Sequence, residues 1–300
     1  DCSCAPLFPC EQMWLGGTLL TISQSFRVIK PVVMMASSSS SEPDMALLRS
    51  RIEDVRAGVF DCRVVVLREC LVPGQRLEMT APPGLVNLFE ARDGRPVVVI
   101  GRQGQQLHTH GVQVELQGPP IMRPVIPGIH PAGTADIVMV ARELCELLEV
   151  DSTTIGLERR ARARSLELDG VDADPPSKAL LVRSAALEPI VAKWLSLVRR
   201  SGRERVAGQL DALLSGLGSM PAAEKPNARA LWVAGLINPL PALGVSSSRK
   251  FAQMGASVAP EIRGAVLMAP STEVRMRNIE VSLAESIRRL ELIVSSETDS

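Results

Sequence analysis

Tyrosine is absent from this chain, and only three Trp and five Phe stand among its 300 residues. So few rings leave single-stranded nucleic acid without stacking platforms. Charge of either sign is also not in excess: 33 basic residues balance 33 acidic ones. A neutral chain lacks the broad basic face that nucleic-acid binding needs. No apolar run reaches the roughly 18 residues that span a bilayer, so no membrane segment is expected. The first ten residues hold no Lys or Arg, which argues against a secretory signal. The six cysteines, Cys2, Cys4, Cys10, Cys62, Cys70 and Cys145, form no Cys-x-x-Cys pair. They are too scattered for a disulfide framework and point to a reducing, intracellular setting, cytoplasm or plastid.

Catalytic and cofactor signatures are equally scarce. Gly101-Arg102-Gln103-Gly104 lacks the Gly-x-x-x-x-Gly-Lys-Ser/Thr spacing that cradles phosphate, and no Gly-x-Ser-x-Gly elbow occurs. His108 and His110 form the one close histidine pair, with His130 as the third. Without a nearby Cys or acid they fall short of the three or four ligands a metal needs, and they read as surface turn residues beside Gly111. Cys62, Cys70 and Cys145 have no base in view, and Cys62 and Cys145 sit in apolar patterns as small hydrophobes. No catalytic residue, metal or cofactor is expected.

What the chain does have is 46% apolar residues, enough to bury a core. Residues 1–50 stand apart. Met34-Met35-Ala36 leads into the serine run Ser37 to Ser41, which fits a plastid or mitochondrial transit segment and equally a non-coding extension. The first residue is Asp, as in a fragment or a translation begun upstream of Met34 or Met35.

Residues 51–174 carry the period of two. Phe60, Cys62, Val64 and Val66 share one face of a strand, and Asp61 and Arg63 the other. Pro73-Gly74 turns the chain into a second strand around Leu77 and Met79. Leu85, Leu88 and Phe89 fit a short helix that plugs a barrel end. Further strands are expected at Val97–Ile100, Val112–Leu116, Ile137–Val140, Leu144–Val150 and Leu166–Leu168. Leu144, Leu147 and Leu148 also fit a helix. Residues 118–133 hold five Pro and three Gly and read as an exposed loop available for function. The basic run Glu158 to Arg164 reads as a solvated strand edge or loop. Short strands with turn residues between them favour a small closed barrel or a sandwich.

Residues 175–300 switch to helical period. Leu187, Ile190, Val191, Trp194, Leu195 and Val198 form one stripe, broken at Gly202. Val206, Leu210, Leu213, Leu214 and Leu217 form the next, stopped by Gly216 and Gly218. Asn227 is placed to cap a helix ending at Ile237, Pro260 to start a short one, and Ser271 or Thr272 to cap the last. Trp194 and Trp232 read as anchors between helices. The fold class is therefore α+β, a β domain followed by a bundle of four or five helices.

Four segments carry a family resemblance: Leu67 to Phe89 with Val72-Pro73-Gly74-Gln75-Arg76-Leu77-Glu78-Met79, Gly111-Val112-Gln113-Val114-Glu115-Leu116, Ile137 to Val150, and Leu187 to Pro270 with Asn238-Pro239-Leu240-Pro241. In this order they resemble the N-terminal, substrate-binding domain of Lon proteases, as found in stand-alone Lon-domain proteins of algae and bacteria. The resemblance implies a PUA-like pseudo-β-barrel of six strands before the helical bundle. The insert Ser246 to Ser257 departs from the family pattern. So does the lack of a Walker ATP-binding motif and of a Ser-Lys protease segment. Read as a complete chain, it is expected not to unfold or cleave proteins by itself.

The function implied by the resemblance is a non-catalytic module that recognises unfolded or degron-bearing proteins, an adaptor serving a separate ATPase or ligase in protein quality control. Leu77, Met79 and Phe89, near the Pro-Gly turn, are the peptide-contact candidates. The alternatives are a cryptic hydrolase built on a Cys or on His108 and His110, and a PUA-like RNA-binding protein.

Overall fold

Alternating side chains along the strands divide into two apolar clusters, and that division sets the architecture. The structure, a computed structural model, describes residues 41–67, 70–91, 93–103, 106–150, 159–167, 169, 175–202, 204, 207–238 and 261–298. Chain contacts separate Asp1–Met45 from Ala46–Ser300. Helix α1 (Ser41–Arg56) spans that division. The expected leader lies outside the described residues up to Ser40, as do Val206, Leu168, Pro239 to Pro241, the Ser246–Ser257 insert and Pro260.

The described strands are β1 (Val59–Val66), β2 (Arg76–Ala81), β3 (Val97–Gln103), β4 (Gln106–Leu116), β5 (Ile121–Met122), β6 (Ala135–Val150) and β7 (Arg159–Ser165). They pair in the order β6-β4-β3-β1-β7, and β7 pairs back onto β6, so five strands close on themselves. Strands β2 and β5 pair with β6 outside this ring. Closure leaves no free edge in the ring. The one parallel pair, β1 with β3, needs a long crossover. Residues 67–96 supply it, carrying β2 and helix α2 (Pro83–Glu90).

Cys62, Val64, Val98, Ile100, Cys145 and Ala163 belong to a small cluster made of strand residues alone. A five-stranded ring is too narrow to admit a helix, so this cluster is the barrel interior. The alternate residues, such as Val65, Val97, Val99 and Leu144, join a larger cluster with the helices, outside the barrel wall. The first strand is thus buried on both faces, not wet on one. Arg63 is 2% exposed, donates to the Leu88 carbonyl and pairs with Asp93. Helix α2 lies over that outer face through Leu85, Val86 and Leu88, which join the outer cluster instead of plugging a barrel end.

Other strand expectations are corrected in the same way. The two segments expected between Ile137 and Val150 are one continuous 16-residue strand, and the helical option at Leu144 is not taken. The basic run is an inner strand of the ring: β7 pairs with β1 and β6, and Ala161 and Ala163 face inward. Two of its arginines are met by acids, Arg162 by Asp54 and Arg164 by Glu146. The strand ends at Ser165, before Leu166.

The helical half comprises α3 (Lys178–Ser201), α4 (Gln209–Leu217), α5 (Pro226–Ile237), α6 (Arg263–Leu267) and α7 (Thr272–Thr298). Ser177 caps α3 by accepting from Leu180 N at 3.2 Å, and Gly202 ends it with φ of 57°. Leu187, Val191, Trp194 and Val198 face the core. Trp194 Nε1 donates to Ser286 Oγ at 2.7 Å and ties α3 to α7. Ser271 Oγ accepts from Val274 N at the start of α7. Helix α5 is buried at every residue but Ala228, and its N-terminus is capped from a distance, not by Asn227. No helix among the described residues is long and apolar enough to cross a membrane.

Candidate functional site

The Pro-Gly turn fastens the barrel to the helices. Gly74 takes φ of 85°, a left-handed value that glycine adopts without cost. The turn swings Gln75 inward, where it is 2% exposed. Gln75 Oε1 accepts from Val72 N at 3.1 Å. Its Nε2 donates to Gly235 O at 3.0 Å and Asn238 O at 3.2 Å, at the end of α5. Asn238 Oδ1 in turn accepts from Ile262 N at 2.9 Å, just before α6. One side-chain amide thus holds the turn against two helices. Such a buried amide persists only because its polar atoms are met.

On the solvent side of this junction a groove opens. Its middle is a cavity of about 630 Å³ between β6, the end of β7 and α4–α5. Pro73, Leu144, Leu166, Leu217, Leu231 and Trp232 give it an apolar lining. Trp232 is held in place by donating Nε1 to Gly218 O at 3.1 Å. Asp169 fixes the far wall. Its Oδ1 accepts from Asn227 N at 3.2 Å and its Oδ2 from Ala228 N at 2.6 Å, capping α5.

Two further cavities continue the middle one. A cavity of about 690 Å³ shares Arg142 with it and extends toward Arg76, Gln117 and Gly216. A cavity of about 480 Å³ shares Pro221 and Trp232 with it and extends toward Glu188 and Glu224. The first and third share no residue, so the three lie in series. Residues 212–225 contribute to all three: Ala212, Ser215 and Gly216 line the first, Leu217, Ser219, Pro221 and Lys225 the second, and Met220 to Glu224 the third. Pro189, inside α3, has no N–H to offer the Ala185 carbonyl four residues back, and Ala185 lines the third cavity.

No known family model matches the chain, and no curated protein matches it in sequence. Among solved structures it is similar to the N-terminal domain of the Mycobacterium avium complex Lon protease, at 14% identity and a TM-score of 0.45, over 75% of this chain and 98% of that one. It is also similar to a Lon N-terminal domain protein from Xanthomonas campestris, at 11% identity and a TM-score of 0.41, over 74% of this chain and 98% of that one.

The contact candidates Leu77, Met79 and Phe89 all belong to or pack against the large cluster outside the barrel. Leu77 is buried, and Met79 and Phe89 pack half-buried against it. None of the three lines the groove; their neighbour Arg76 does. Sequence reasoning missed Asp169, Leu166 and Arg142 as groove residues, because the groove forms only where elements distant in sequence meet.

The histidines and cysteines fall elsewhere. His108 and His110 are not turn residues; both lie on β4. Burial lowers the pKa of each, opposed by Glu261 at His108 and by Glu146 at His110, while Arg275 adds to the lowering at His110. The reading that no base stands near a cysteine is corrected at Cys70, whose Sγ is 3.1 Å from His108 Nδ1. The pair is tightly enclosed. A Cβ at Gly101 would strike Cys70 Sγ, and one at Gly264 would strike the His108 ring. Cys70 is 4% exposed and His108 9%, so both are buried. Cys62 and Cys145 face the barrel interior, where burial pushes their thiols up to about 12 and about 11. Among the described residues, no three His, Cys, Asp or Glu converge as a metal site.

The loop 118–133 is exposed, as its composition predicts. Arg123 anchors it through Asp136 at 2.8 Å, and Asp136 also accepts from Thr80 Oγ1 at 2.7 Å. Ile121, Val125 and Ile129 point to solvent from it.

Proposed function

We propose that this protein is a non-catalytic recognition module that holds extended segments of unfolded or degron-bearing proteins. The observation that carries this reading is the groove: three adjoining cavities whose walls mix apolar side chains with charged and polar ones. An extended peptide presents apolar side chains and unpaired backbone groups together. A concave apolar floor with a few polar groups suits both. Helices α4 and α5, the segment between them and the barrel wall frame the groove. Delivery of the bound segment to a separate ATPase or ligase, in the cytoplasm or a plastid, completes the reading. The half-buried Met79 and Phe89 serve it as secondary contacts beyond the groove.

The test is to fill the middle cavity. Ser219 is exposed and Ala228 half-buried on its walls, so Ser219→Trp and Ala228→Trp place bulk there without touching the core. Affinity for a permanently unfolded, carboxymethylated protein is read by fluorescence anisotropy. Each variant is expected to bind about tenfold more weakly, equivalent to about 1.4 kcal/mol. Undiminished binding by both variants, with unchanged circular dichroism, removes the groove from the reading.

A further inference from the structure

The groove is electrically asymmetric along its length, and this sets which peptides it takes. At one end the charged lining residues are Arg76 and Arg142. Their partners, Glu78 at 2.7 Å and Glu115 at 2.8 Å, are exposed, and both arginines are about half exposed themselves. Pairs so solvated are weak, and a guanidinium has five donors, so neither pair saturates its arginine. At the other end the charged lining residues are Glu188, Glu224 and Arg229. Arg229 is 5% exposed and is spent on Glu188 and on the Ser184 carbonyl. Glu188 is 74% exposed, and Glu224 is exposed too, so this end offers solvent an acidic surface. The middle cavity mixes Arg142 and Lys225 with Glu143 and Glu167 around its apolar floor.

We infer that the groove selects peptides with an apolar centre, an acidic residue at one end and a basic residue at the other. This rests on the recognition reading above and adds the substrate class. The acidic end lies over Arg76 and Arg142, the basic end over Glu188 and Glu224. Charge complementarity of this kind fixes register and rejects wrongly charged partners more than it adds affinity. The wall from Ala212 to Glu224 runs at most about 30 Å, counting helical rise to Leu217 and extended chain beyond it. An extended peptide of at most about nine residues matches that length.

The experiment uses four fluorescein-labelled peptides of about that length with one shared apolar centre. Their ends are Asp and Lys, Lys and Asp, Asp and Asp, or Lys and Lys. Anisotropy with the full chain is expected to show the better of the two mixed-end peptides binding roughly fivefold tighter than either like-ended one, the range of one or two exposed ion pairs. The preference is expected to fade in high salt. Arg76→Glu is expected to make the Lys-Lys peptide the tightest, and Glu224→Lys to make the Asp-Asp peptide the tightest. Both residues are exposed, so either variant suffices if the other folds poorly. Equal binding of all four peptides, or an order that neither variant changes, overturns the charge selection while the recognition reading stands. Failure of every peptide to bind, when the carboxymethylated protein does bind, overturns the selection alone; failure of both probes overturns the recognition reading with it.

Discussion

The side-chain amide of Gln75 donates to the carbonyl of Gly235 at 3.0 Å, across 160 residues of sequence. Gly235 permits the approach, since a Cβ there would lie 3.0 Å from Val72 Cγ2 and 3.3 Å from Gln75 Cγ. The contact joins the turn after β1 to the end of α5, and with Asn238 and Ile262 it reaches α6. Replacing Gln75 by Ala strips partners from Val72 N, Gly235 O and Asn238 O inside the protein. The expected loss is about 3 kcal/mol of unfolding free energy, set by orphaned buried polar groups. Urea denaturation measures it, and hydrogen exchange is expected to rise first in α5 and α6. A loss under about 0.5 kcal/mol would show that the turn does not hold the two halves together.

Stability is expected to fall between pH 7 and pH 5.5. Burial lowers the pKa of His108 and of His110 below the ordinary histidine value, against the opposing fields of Glu261 and Glu146. A histidine whose folded pKa is depressed is harder to protonate folded than unfolded. The unfolded chain therefore takes up protons first as pH drops through about 6.5, and stability falls until pH passes the folded values. Each histidine contributes at most about 1.4 kcal/mol per pH unit. The slope of unfolding free energy against pH is expected to decrease in His108→Gln, whatever that change does to stability at pH 7.5. An unaltered slope would place the pH dependence in other groups.

The thiols of Cys62 and Cys145 are expected to be inert in the folded protein. Inside the barrel their thiolates are disfavoured, with thiol pKa values near about 12 and about 11. At pH 8 only about one Cys145 thiol in a thousand is ionised, and the thiolate is the reactive form. Iodoacetamide followed by peptide mass spectrometry is expected to leave both unlabelled until urea unfolds the chain. Native labelling of either at the rate of free glutathione would contradict a closed ring of β1, β3, β4, β6 and β7.

Period and turn chemistry made most elements legible in the sequence. The α3 stripe from Leu187 to Val198, the Pro73-Gly74 turn and the strand at Val112 to Leu116 are local signals, and the structure has all three. What local pattern could not convey was long-range pairing. Arg160, Arg162 and Arg164 look like a solvated edge because every second residue is charged, yet β1 and β6 flank them and acids meet two of them. Arg63 looks like a wet strand face, yet α2 covers it. His108 looks like a turn residue until β4 carries it beneath Gly264. The groove was hidden for the same reason. Leu144, Leu166 and Trp232 read as core positions in their own elements, and only the meeting of β6, β7 and α5 turns them into a lining.

Asp169 links stability to recognition and gives the last prediction. It is the residue that caps α5 from outside the helix, accepting from the backbone N–H of Asn227 and Ala228 and from Asn227 Nδ2 at 3.0 Å. It also lines the middle cavity, so the cap and the groove wall are one structure. Asp169→Ala is expected to cost about 1–2 kcal/mol, the usual loss for a helix cap. The freed first turn carries Ala228 and, one turn on, Leu231 and Trp232, so affinity for the carboxymethylated protein is expected to weaken as well. Asp169→Asn keeps an oxygen acceptor and is expected to retain most of both. Thermal unfolding and anisotropy on the same two variants separate the possibilities. If Asp169→Ala lowers stability and leaves binding untouched, the N-terminal turn of α5 is not part of the surface that holds the peptide.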